Sequence, residues 1–180
     1  MRLPLLALLL LAAAAPAAAQ NPAPDTMVYR IPAPRGEAVV VGTRAKAVYD
    51  EWRYAPVRVA DNVAYVSGVV AGPLGPEPAD SAVFRRSVEG AFRHIQRTLR
   101  AVGADLDDVV MLNTFHVFES PHFQGDKRAH IDAFRRAKDA TMTGPAAPAW
   151  TAIGVSGLFP DRGLVEIQVI AHIGPPPAAR

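Results

Sequence analysis

Six apolar side chains, Phe84, Val88, Ala91, Ile95, Leu99 and Val102, recur at spacings of four and three. That rhythm places them on one stripe of an α-helix over residues 81–102. Asp80 or Ser81 can cap its start, and Gly103 suits the left-handed residue beyond its end. The flanking segments are β-rich. Residues 38–42 form a short strand-like run, and residues 47–54 favour strand through Val48, Tyr49 and Trp52. Residues 57–68 read as a hairpin, with Asp61-Asn62 at the turn. The prolines and glycines of residues 72–78 make a loop.

After the helix, residues 109–118 read as a strand. Ser120-Pro121 opens a second helix, with the serine as cap and the proline at the first helical position. Its inner face would carry Phe123, Ile131 and Phe134. Residues 149–155 and 164–173 supply two last strands. The expectation is one α+β domain over residues 38–173, a mixed six-stranded sheet with two helices on one face. The other face would need an oligomer to cover it.

The ends differ in kind. Arg2 precedes an unbroken apolar run over residues 5–15, and Ala17-Ala18-Ala19 follow. A basic start, a short apolar middle and an A-x-A end read as a secretory signal peptide over residues 1–19. The run is well short of the ~20 residues that span a bilayer. The expected protein is therefore exported, periplasmic or secreted, with no membrane attachment after cleavage. Residues 20–37 hold four prolines among small polar side chains and read as a flexible leader. Residues 174–180, with Pro175-Pro176-Pro177, read as a disordered tail.

Charge and cysteine content exclude several classes. The net charge is +2, with no cysteine among 180 residues. A near-neutral chain has no electrostatic case for a nucleic acid or an anionic membrane as partner. Without cysteine there is no disulfide, thiolate metal site, cysteine nucleophile or cysteine-linked lipid. No phosphate loop, GxSxG elbow, dinucleotide fingerprint or HExxH motif is present, and no cofactor is expected.

Three stretches together carry a resemblance to a known family. Tyr54 is followed thirteen residues later by Ser67-Gly68; residues 103–110 read GADLDDVV; and the last segment reads Pro148-Ala149-Trp150-Thr151-Ala152-Ile153, Ser156-Gly157-Leu158 and Val165-Glu166-Ile167. In these the chain resembles the Rid family, the YjgF-like reactive intermediate deaminases, over about 130 residues. The resemblance implies a chorismate-mutase-like fold and a homotrimer around a barrel-like core, with small-molecule pockets between subunits. It also implies hydrolysis of 2-imino acids and their enamine tautomers to 2-keto acids and ammonia. Carried over by position, Tyr54 and Ser67 would bind substrate and Glu166 would handle the attacking water.

The resemblance breaks at one position. The arginine that clamps the substrate carboxylate in the family's deaminases is here Trp150, and a frequent cysteine two residues on is Ala152. An indole offers one N–H and no charge, so it cannot replace a bidentate guanidinium. The pocket, with Trp150 and Ala152 in its wall, is expected to take something flatter or less anionic. Two functions stay open: an imine or enamine hydrolase of altered preference working through Glu166, and a non-catalytic trimer that binds a small ligand or protein.

Each candidate also has a plainer reading. Tyr54 could be a rim aromatic, Ser67 a strand end, Glu166 a partner in an ion pair, and Trp150 core. Arg162, in the turn before Gly163, could supply the missing charge, although a solvated turn arginine is the simpler assignment. His122, Asp126 and His130 stand four apart with His116 upstream, yet nothing fixes a fourth ligand, so no metal site is expected. Arg86, Arg93, Arg97 and Arg100 line the first helix opposite its apolar stripe, without aromatics for base stacking, and read as a solvated face.

Overall fold

The last strand sets the frame. In β7 (Val165–His172), Val165, Ile167, Val169 and Ala171 are buried, whereas Glu166, Gln168, Ile170 and His172 are not. Such alternation gives a strand one packed face and one open face. The computed structural model describes residues 25–174. The signal peptide reading and most of the tail reading lie outside them.

Seven strands form one mixed sheet: β1 (Val28–Ala33), β2 (Gly36–Val41), β3 (Val57–Ala60), β4 (Val63–Ala71), β5 (Val109–His116), β6 (Ala149–Gly154) and β7. Their order is β1-β2-β3-β4-β7-β5-β6; β5 and β6 run parallel and every other pair is antiparallel. Three helices accompany them: α1 (Thr43–Trp52), α2 (Ser81–Arg100) and α3 (Lys127–Thr141). α2 packs on β4 and against α3. Its stripe Phe84, Val88, Ala91, Ile95 and Leu99 joins Val66, Leu112, Ile167 and Val169 in one buried core. The Asp80 side chain accepts a 2.7 Å hydrogen bond from Val83 N, and Gly103 takes φ +82°, so both ends of this helix terminate as expected. No helix among the described residues is long and apolar enough to cross a membrane.

Four expectations need correction. The sheet has seven strands, not six, because part of the expected flexible leader is β1, paired with β2 along its whole length. Its Pro32 is compatible with this because β1 is an edge strand. Residues 47–54 lie mainly in a helix, not a strand. The Asp25 carboxylate accepts hydrogen bonds of 2.5 Å from both Thr43 N and Thr43 Oγ1 at the start of α1, and Lys46 pairs with Asp50 one turn on at 2.6 Å. A cap supplied from eighteen residues away has no local signal. Among the described residues the α-helices consequently number three, not two. Lastly, α3 starts at Lys127, not at Ser120-Pro121. Gly125 takes φ +156°, and Asp126 is the cap, accepting from Ala129 N at 2.8 Å.

Replacing Asp80 with alanine strips one helix end of its side-chain acceptor. The expected loss is about 1 kcal/mol, read as a lower urea midpoint with an unchanged m-value.

Candidate functional site

The site grows from an irregularity in β4. Val66 pairs with Val169 and Val69 pairs with Ile167, so Ser67 and Gly68 together face the single residue Gln168. This is a β-bulge, a device that turns a strand and re-aims its side chains. Gly68 is required there by the close approach of a neighbour. A Cβ at this position would lie 1.7 Å from Glu166 Oε1 and 2.5 Å from its carboxyl carbon. The carboxylate of Glu166 thus rests over the bare backbone of the bulge.

Tyr54 reaches the same place from α1. Arg53 ends that helix in the left-handed region (φ 55°), with its N–H bonded to Tyr49 O, and the chain turns back. The Tyr54 hydroxyl donates to Gly68 O at 3.2 Å. Ser67 Oγ donates to Ala55 O at 2.8 Å, and Ser67 N donates to Pro56 O at 2.9 Å. The serine therefore holds residues 55–56 to the bulge. Burial pushes the Tyr54 phenol up; a hydrogen bond with Ser67 opposes this, and the Glu166 charge reinforces it. The tyrosine is accordingly neutral at physiological pH.

Around Glu166 and Tyr54 lies a groove of about 570 Å³, completed by Val48 and Trp52 of α1, Gly68 and Val70 of β4, and Phe159-Pro160 of the turn before β7. A second cavity of about 520 Å³ adjoins it under α1; it shares Val48, Tyr54, Gly68 and Val70, and holds Ser67, Asp25, Arg44 and His94 in its own wall. The side chains of α1, Trp52 and Val48 among them, were not anticipated as site residues. Their spacing of four, just before Tyr54, is the signal that could have found them.

Trp150 and Ala152 stand elsewhere. In the parallel β5–β6 register, Trp150 is level with Leu112 and Ala152 with Thr114, both buried on the helix-covered face. Glu166 is level with Phe115, and Phe115 with Ile153, on the opposite face. Side chains alternate along a strand, so within β6 only Ala149, Thr151 and Ile153 share the face of Glu166. Within one chain Trp150 and Glu166 lie on opposite faces of the sheet; the expected pocket, set between subunits, would join them across two chains.

The indole is held by a polar chain instead. Trp150 Nε1 donates to Thr114 Oγ1 at 2.9 Å, Thr114 Oγ1 meets His116 Nε2 at 2.9 Å, and His116 Nδ1 meets His130 Nε2 at 3.1 Å. Its ring stacks on Phe134, with centroids 5.6 Å apart, and Lys138 Nζ stands 5.6 Å from the indole centroid. His130 sits among Phe84, Phe118 and Phe123, and its Nδ1 has no partner. Its ring points into the core, away from the stripe expected with His122 and Asp126, and among the described residues no cluster suits a metal ion. Arg162 donates to the carbonyls of Gly75 and Pro76 at 2.8 and 2.7 Å, so it fastens the 72–78 loop and adds no charge to the groove. Arg86, Arg93, Arg97 and Arg100 are all exposed.

Burial pushes His116 down to about 4 and His130 down to about 3, the latter aided by His116. Unfolded histidine titrates near 6.5. Between that value and about 4 the unfolded chain binds protons that the folded chain refuses. Stability therefore falls with falling pH, by up to about 1.4 kcal/mol per pH unit for each histidine. His130→Leu should flatten the decline of Tm below pH 6.5 in a thermal melt series; an unaltered slope would show that the pair is not its source. Gly68→Ala should displace the Glu166 carboxylate, seen as a shifted Glu166 side-chain resonance by NMR, while the chain still folds.

Comparison with known proteins places this geometry among relatives. Residues 44–173 match the family model described as Endoribonuclease L-PSP. The RutC family protein YjgH of Escherichia coli K12 is 30% identical over 127 residues, 71% of this chain and 88% of the relative. A solved structure of protein YjgH superposes with a TM-score of 0.55 at 28% identity, covering 72% of this chain and 91% of that one. RidA from the Antarctic bacterium Psychrobacter sp. gives 0.53 at 26%, covering 67% and 88%. Yeast Mmf1 gives 0.53 at 22%, over 67% and 87% of the two chains, a likeness of fold.

Proposed function

The chain belongs to the Rid/YjgF family, and from that premise we propose that it is an exported hydrolase of carbon–nitrogen double bonds with an altered substrate preference. The observation that carries this reading is the carboxylate of Glu166, laid over the Gly68 bulge beside Tyr54 in an otherwise apolar groove. A carboxylate so placed can take a proton from water as the water oxygen bonds to the imine carbon. The imine enters already protonated from solvent, so the addition gives a neutral carbinolamine. Glu166 passes its proton to that nitrogen, and as the C–N bond breaks the hydroxyl proton returns through the carboxylate to solvent, leaving the carbonyl and ammonia. The balance is R2C=NH + H2O to R2C=O + NH3, with no cofactor. Tyr54 fixes the groove wall, and Ser67 fixes the segment that carries Tyr54.

In this reading the working form is a homotrimer. Two features support self-association. The open face of the sheet carries Tyr65, Met111, Phe115 and Ile170, with Tyr65 47% and Met111 36% exposed, and β6 is an edge strand exposed at all six residues. Trp150 and Ala152 of one subunit could then meet the groove of the next, since a second copy is the only way to bring them to a Glu166.

A second reading is a trimer that binds a small molecule without turnover. It is favoured by the hydroxyls of Tyr54 and Ser67, both engaged by backbone carbonyls, which leave Glu166 without a companion acid. Ammonia release from enzymatically generated imines separates the two. For an enzyme, Glu166→Gln should lower turnover by at least about a hundredfold, while ligand affinity changes little. The non-catalytic reading requires no turnover in either protein. Turnover of 2-iminopropanoate should be poor, since a missing charged partner costs about 1.5–3 kcal/mol of binding.

A further inference from the structure

The groove discriminates by charge, and its wall says in which direction. Among the described residues its only carboxylate is that of Glu166, and no arginine, lysine or histidine lines it. None of the ion pairs among the described residues involves Glu166. The cations nearby in sequence are engaged elsewhere. Lys46 is bound to Asp50, the Arg53 guanidinium lies 5.7 Å from the Tyr49 ring, and Arg162 is held by loop carbonyls. Arg44 lines the adjoining cavity together with Asp25, an opposite charge in the same wall. Tyr54 remains a neutral phenol.

The rest of the groove is hydrocarbon and aromatic surface, unusually exposed for such residues. Trp52 is 63% and Phe159 89% exposed, and their rings meet edge to face at 6.2 Å. This rim is not loose. The turn that carries Phe159 is closed by Gly163 N donating to Pro160 O at 2.8 Å and fastened through Arg162. A Cβ on Gly163 would lie 2.9 Å from Val70 Cγ1, so the turn packs closely on the groove wall. One carboxylate beneath a fixed aromatic rim is the arrangement that attracts an organic cation: coulombic pull below, ring quadrupoles at the sides.

Building on the hydrolase reading of the same site, we propose that the groove takes carboxylate-free imines bearing an aryl or branched alkyl group, bound as protonated iminium ions. The nitrogen lies on the Glu166 carboxylate, and the hydrocarbon lies between Val48, Trp52, Val70 and Phe159. An iminium is also the more electrophilic form, so the charge that selects the ligand favours attack at its carbon. A carboxylate-bearing imine meets repulsion from Glu166 with no cation to offset it.

Three inert ligands of one shape test the selection: benzylamine, benzyl alcohol and benzoate, titrated by calorimetry into the full-length protein at pH 7. Benzylamine should bind about tenfold more tightly than benzyl alcohol, and benzoate should bind most weakly. In Glu166→Gln the amine should lose its advantage while benzyl alcohol keeps its affinity, which also certifies the fold of the variant. Trp52→Ala should weaken benzylamine about fivefold or more. Benzoate binding as well as benzylamine, an amine preference that survives Glu166→Gln, or no binding of any of the three would overturn the proposal. None of these ligands reacts, so the outcome is independent of turnover. A benzylamine preference beside an absence of hydrolysis would sustain the ligand class and sink only the hydrolase.

Discussion

A strand paired on both sides has little freedom left except which face each side chain takes. β7 is such a strand, bonded to β4 on one edge and β5 on the other. Its apolar residues occupy every second position, so one register alone buries Val165, Ile167, Val169 and Ala171 under α2 and α3. A slip of one residue would turn Glu166 and Gln168 into the core and expose the valines. The placement of Glu166 is therefore fixed by the hydrophobic effect acting on its neighbours. The bulge at Ser67-Gly68 then gives its carboxylate a bed where any side chain would collide. Fold and site share one constraint, and the site is the polar remainder of a core-forming strand.

The same parity explains why Trp150 behaves as it does. Facing the helices, it stacks on Phe134 and ties its N–H to Thr114, which in turn meets His116. A guanidinium at this position in one chain would meet Phe134 and the ammonium of Lys138 rather than Glu166. The difference between tryptophan and arginine thus reaches further than one missing clamp, because the side chain is also a structural end of a buried polar line that closes on an unpartnered His130 Nδ1. Burial holds both histidines neutral, and a neutral ring can serve as donor at one nitrogen and acceptor at the other, which the line from Thr114 through His116 to His130 Nε2 uses.

Much of this was legible in the sequence, wherever the signal was local and periodic. The α2 stripe, its Asp80 cap, the Gly103 terminus, the hairpin around Asp61-Asn62 and the strands around Leu112, Thr151 and Ile167 all follow from spacing that has one physical reading. What escaped depended on distant partners. α1 forms because Asp25 caps Thr43 across eighteen residues, although Val48, Tyr49 and Trp52 favour a strand by themselves. β1 tolerates Pro32 only by standing at an edge. The site residues divide by face: Tyr54, Ser67 and Glu166 converge on one bulge within a chain, while Trp150 and Ala152, which the resemblance sets in a pocket between subunits, face the helices. Parity along β6 could not be related to β7 until the register of both against β5 was known.

α1 is the element whose presence most needs a reason. None of its residues is buried, and it leaves cavities of about 520 and 570 Å³ along its flank. A helix that filled its own footprint would have brought Val48 and Trp52 down onto β4 and removed that apolar area from water. It is instead anchored at its ends, by Asp25 at the start and by the Tyr54 hydroxyl on Gly68 just past its close. Exposed tryptophan and phenylalanine at its edge leave burial free energy unrealised in the isolated chain. That free energy becomes available when something apolar enters the groove, whether a ligand or a neighbouring subunit. The carboxylate at the base sets the condition: whatever enters must bring a hydrogen-bond donor or a positive charge to Glu166, or leave a carboxylate stripped of water with nothing to meet it.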